Sequence, residues 1–100
     1  MDVGIQTGRL VMCPEWHHMI HAWVERCRKH HPSVAGMDVT LRYGAGGDPG
    51  EVEAVATTRG RRLRAATRSR LVSVAIHDTL AALEDELLVD EAVSRAAQGG

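Results

Sequence analysis

The chain has 100 residues, 44% apolar and 25% charged, with a formal net charge of -1 at pH 7. That amounts to one globular domain and excludes disordered, fibrous and multidomain architectures. No apolar run approaches the roughly 18–20 residues of a spanning helix. The opening MDVGIQTGRL lacks a basic-then-apolar leader pattern, so a soluble, cytoplasmic protein with no membrane partner is expected. Cys13 and Cys27 cannot build a disulfide framework, and so small a core leaves little room for a buried active-site cavity.

Val3 and Ile5 alternate with Asp2, Gly4 and Gln6, which predicts a short first strand weakened by Gly4. From Pro14 the period changes. Trp16, Met19, Ile20, Trp23, Val24 and Cys27 form one continuous helical stripe. Pro14 and Glu15 suit its first turn, Arg26, Arg28, Lys29 and His30 its last, and Pro32 stops it. Val39, Leu41 and Tyr43 then alternate into GAGGDPG, a turn by composition. Val52, Ala54 and Ala56 form a further strand, Arg59 and Gly60 a second turn, and Leu63, Ala65 and Thr67 a last strand. Val72, Ile76, Thr79, Leu80, Leu83 and Leu87 predict a second amphipathic helix from about 70 to 88.

The order β-α-β-β-β-α predicts an α+β fold: one four-stranded mixed sheet with two helices on one face. A single domain is expected over 1–90, with 91–100 as a frayed or disordered tail. Asp38, Thr40, Arg42, Arg62 and Arg64 are expected on the open sheet face, and Ala54, Ala56 and Ala65 beneath Trp16 and Trp23.

The near-neutral total conceals a dipole. RGRRLRAATRSR over residues 59–70 contains Arg59, Arg61, Arg62, Arg64, Arg68 and Arg70 and no acid, whereas Glu84, Asp85, Glu86, Asp90 and Glu91 follow on the second helix. Guanidinium forks fit phosphate oxygens two at a time. Equally, these arginines can solvate a strand and pair with the acids of the helix.

The element order, with VEAVATTRGRRLRAATRSRLVSVAIHDTLAALEDEL, resembles the short ribosome hibernation-promoting factors, or ribosome-associated inhibitors. Ala75-Ile76 with Leu80, Leu83 and Leu87 carries much of the likeness. The resemblance implies a non-enzymatic module that binds the small ribosomal subunit, touches rRNA phosphates through basic side chains and modulates translation. Ser73, His77, Ala82 and the acidic Leu83-Glu84-Asp85-Glu86-Leu87 depart from the family's usual pattern. The nucleic-acid contacts expected are Arg26, Arg28, Lys29, Arg42, Arg61, Arg62, Arg64 and Arg68, sharing one accessible side. The alternative is a protein-interaction or homodimerising module in which the acidic helix of one chain meets the arginine-rich strand of another.

Other constellations are incomplete. His17 and His21, at i and i+4, can face one metal ion with His18 beside them, but His18 stands where an HExxH protease has its glutamate. Cys13 and Cys27 have no base beside them in sequence, and the glycine loop lacks a phosphate-cradling lysine. No catalytic set, cofactor, resident metal or small-molecule substrate is expected.

Overall fold

The computed structural model describes residues 1–8, 12–42 and 50–99. Its elements are β1 (Asp2–Gln6), α1 (Pro14–His30), β2 (Val34–Arg42), β3 (Gly50–Thr58), β4 (Arg61–Ser69) and α2 (Val72–Gly99). The strands form one sheet in the order β1-β2-β3-β4. β1 and β2 run parallel across the α1 crossover, and the two later pairings are antiparallel. This is the expected β-α-β-β-β-α mixed sheet. The GAGGDPG turn and Tyr43 lie outside the described residues.

Strand alternation decides which face is covered. Val39, Leu41, Val52, Ala54, Ala56 and Ala65 point inward and are buried, together with Ile20, Trp23, Val24 and Cys27 of α1 and Ala75, Ile76, Leu80, Leu83 and Leu87 of α2. One core therefore lies between the sheet and both helices. Trp23 is buried over it and Trp16 packs at its edge, so large helix side chains meet small strand ones. Asp38, Arg42, Arg62 and Arg64 are exposed on the open face. A Cβ on Gly4 would stand 2.6 Å from a carboxylate oxygen of Asp38 on β2, which the exposed Asp38 side chain can relieve by rotating away.

Polar groups that do enter the core are partnered. Thr79, fully buried on α2, donates to the Val52 carbonyl at 3.2 Å and shares a 2.7 Å hydrogen bond with Thr67 of β4. These bonds tie the helix to the sheet and give the buried hydroxyls of Thr79 and Thr67 their partners.

The second helix differs from its expected bounds. It continues through Gly99 instead of ending near 88, so the frayed tail expected from 91 is helical as far as Gly99. The apolar stripe stops at Leu87, but Asp90 and Glu91 are held from outside the helix by Arg61 and His31. Ala92, Ala96 and Ala97 beyond them have high helix propensity.

Candidate nucleic-acid interface

The strand arginines on the open face are accompanied by acids. In register, Glu51 of β3 lies between Arg42 of β2 and Arg68 of β4. Its carboxylate stands 3.7 Å from Arg42 and 3.3 Å from Arg68. Arg64 donates to Glu53, two residues along the same strand. The alternation that turned the arginines outward turned Glu51 and Glu53 outward with them. All three arginines remain more than half exposed, so these pairs contribute little stability, but they offset the charge of that face.

The opposite end of the sheet is different. The β3–β4 hairpin closes with two residues, Arg59 at φ 50° and Gly60 at φ 77°, between the paired Thr58 and Arg61. Two successive positive φ values give the primed turn whose twist suits a hairpin, and asparagine or glycine usually supplies the first. Arginine there is strained. This tip abuts the chain just past α1, since Thr58 Oγ1 lies 3.2 Å from the Ser33 carbonyl and 3.1 Å from its hydroxyl. Lys29 and Arg28 at the end of α1 thus lie at the same end of the molecule as Arg59 and Arg62.

Among the described residues Lys29, Arg59 and Arg62 enter no ion pair, and all three are exposed. Arg28 makes only an exposed contact with Glu25 at 3.3 Å. Arg61, by contrast, bonds the buried Asp90 of α2 at 2.8 Å. Arg26 turns toward α2 and lines a groove of about 630 Å³ with Met19, Trp23, His30, Leu80 and Glu84. The eight expected contact residues therefore do not share one side. Arg42, Arg62, Arg64 and Arg68 lie on the open sheet face, Arg62 at its hairpin end and lining one pocket with Arg42, Arg64 and Glu53, while Lys29 and Arg28 end α1, Arg61 is tied to α2 and Arg26 faces the groove. Arg59, at the hairpin tip, lies at the same end of the molecule as Lys29, Arg28 and Arg62. Arg59 is expected as a turn residue and as the first of the arginine run, but it is not among the eight expected contacts.

Beneath this end lies a residue whose partners are invisible in local sequence. His31 caps α1, its N–H donating to the Cys27 carbonyl at 2.7 Å. Its side chain is buried, Nδ1 meeting Glu91 and Nε2 lying 3.1 Å from Glu84, both on α2. Burial alone would lower the imidazole pKa, but the hydrogen bonds its ring N–H groups donate to Glu91 and Glu84, with the charge of both carboxylates, outweigh it and hold the pKa above 6.5. Beside it, burial and the same two glutamates push the Cys27 thiol up to about 11, which makes it an inert core filler. Cys13 is partly buried, and among the described residues no group of three His, Cys, Asp or Glu could hold a metal ion.

The chain matches no family model and no curated protein in sequence. Solved structures do match. A ribosomal subunit interface protein from Coxiella burnetii superposes with a TM-score of 0.81 at 13% identity, over 92% of this chain and 99% of that one. The likeness is one of fold. The Thermus thermophilus Protein Y N-terminal domain superposes with a TM-score of 0.72 at 16% identity, over 87% and 96% of the two chains. Both superpositions span nearly the whole of each chain, so the four strands and two helices belong to an architecture that a ribosomal subunit interface protein also uses. No described helix is long and apolar enough to cross a membrane.

Proposed function

We propose that this chain is a non-enzymatic, ribosome-associated module that binds the small ribosomal subunit and modulates translation, touching rRNA phosphates with the cationic end formed by Arg28, Lys29, Arg59 and Arg62. The observation that carries the reading is the near-complete fold likeness to a ribosomal subunit interface protein. The charge distribution supports where contact is made. At the hairpin end Lys29, Arg59 and Arg62 enter no ion pair among the described residues and Arg28 makes only an exposed contact with Glu25, whereas Arg42, Arg64 and Arg68 of the open sheet face are paired with Glu51 and Glu53.

Binding through about three to five phosphates gives a log–log salt slope of roughly -2 to -4. Co-sedimentation of the chain with purified small subunits across a salt series measures it. Absence of the chain from the subunit fraction even at low salt contradicts the reading.

Arg59 carries a further expectation. Strain in a left-handed conformation is retained where the side chain has a task. Replacing it with the residue the turn prefers, Arg59→Asn, raises unfolding free energy by about 0.5–1 kcal/mol while weakening subunit binding. Urea denaturation and co-sedimentation read the two effects. A variant that binds as well as the parent removes Arg59 from the interface.

A second reading, association with another protein, draws on a different observation. Among the described residues the exposed large apolar side chains Val74, Leu88, Val89 and Val93 all lie on α2, with Leu71 just before it. The acidic-helix-to-arginine-strand mode loses part of its charge within the chain, because Asp90, Glu84 and Glu91 already serve Arg61 and His31. Light scattering that reports a monomer at low and high salt argues against self-association.

A further inference from the structure

The two histidines on adjacent turns of α1 have a geometry that the ribosomal reading does not use. His17 and His21 are exposed, and their Nε2 atoms stand 3.1 Å apart with ring centroids 4.2 Å apart. They lie on the flank of α1 away from α2, since the groove toward α2 is lined instead by Met19, Ala22, Trp23, Arg26 and His30. Two imidazole nitrogens bound to one tetrahedral ion at about 2.0–2.1 Å are separated by roughly 3.3–3.4 Å. The helix therefore holds both nitrogens, already converged, within a few tenths of an ångström of the bite a single ion requires.

We propose that His17 and His21 chelate one divalent transition-metal ion of the zinc, nickel or copper class through their two Nε2 atoms. In the metal-free chain the nitrogens can only share one hydrogen between them, an exposed contact that stabilises little. In the bound form each neutral ring carries its hydrogen on Nδ1 and offers Nε2 to the ion, with water filling the remaining positions. Imidazole donors select zinc, nickel and copper over magnesium and calcium, which prefer oxygen. The ion bridges successive turns of a helix that is otherwise held mainly by its opposite face, so binding raises thermal stability. Two protein ligands make this a reversible, open site and not a structural zinc cage.

The test is calorimetric titration of the full, untagged chain with zinc chloride at neutral pH, paired with thermal unfolding followed by circular dichroism. One ion per chain, a rise in Tm that a chelator reverses, and no heat with magnesium chloride are expected. Altering even an outer-shell partner of a metal site costs roughly tenfold or more in affinity, so His17→Ala and His21→Ala each lower affinity by at least that factor. His18→Ala and His77→Ala leave it unchanged. Circular dichroism at low temperature verifies that each variant is folded. Absence of saturable binding up to millimolar zinc overturns the proposal. So does binding that survives His17→Ala, or that is lost on Cys13→Ser instead.

Discussion

Replacing His31 with alanine lowers the unfolding free energy by about 2–3 kcal/mol. Breaking a fully buried ion pair by removing one partner costs about 3–5 kcal/mol. Here the His31 side chain is only 3% exposed, but Glu91 retains 19% and Glu84 40% exposure, so water takes over part of the stranded charge. In a domain of this size the loss lowers Tm by about 10 °C or more. Glu91→Gln, which keeps a hydrogen-bonding oxygen but removes the charge, falls between the variant and the parent.

The same residue gives stability a pH dependence of definite sign. Its folded-state pKa is raised above 6.5, so the protonated form is favoured by folding. The stabilisation is complete below about pH 6.5 and is lost as pH rises through the folded-state value. Stability therefore declines on going from mildly acidic to mildly alkaline solution, and His31→Ala flattens that decline. Cys27, raised to about 11 from 9.0, adds a further loss only where the unfolded thiol ionises, so the slope at neutral pH belongs to His31. Urea denaturation at several pH values measures both effects. A change below about 0.5 kcal/mol on His31→Ala, the usual range for surface substitutions, would leave the bridge without energetic weight.

The second large effect concerns binding. Reversing the cations at the hairpin end together, Lys29→Glu, Arg59→Glu and Arg62→Glu, weakens association with small subunits by about a hundredfold or more, taking each phosphate contact as about 1 kcal/mol. It also lowers the magnitude of the salt slope by roughly 2–3. The matched control, Arg42→Gln with Arg68→Gln, removes arginines that Glu51 already attends and costs far less. Fluorescence anisotropy of labelled chain with purified subunits distinguishes the two. Equal losses from both sets would spread the interface over the open sheet face.

Much of the architecture was legible in the chain. The α1 stripe from Trp16 to Cys27 and the inward residues of β2, β3 and β4 follow from periodicity, because a helix and a half-buried strand each present one face to a shared core. What periodicity does not carry is the partner of a side chain. His31 and Glu91 are 60 positions apart and His31 and Glu84 are 53 apart, and nothing local marks either contact. The length of α2 escaped for the same reason, since its continuation past Leu87 accompanies bonds to Arg61 and His31 and not an apolar stripe. The pairing of the sheet arginines could have been anticipated: alternation alone places Glu51 and Glu53 outward beside Arg64 and Arg68. The acids of the following helix, by contrast, pair among the described residues with Arg61 alone of that run.

The most direct measurement is electron cryomicroscopy of small subunits incubated with the chain at low salt. The proposed function requires the folded chain at the subunit interface with its Arg59–Gly60 hairpin tip and the end of α1 against rRNA phosphates. Subunits without added density, or a bound chain that meets the subunit through the exposed apolar side chains of α2 while the hairpin tip faces solvent, would contradict it.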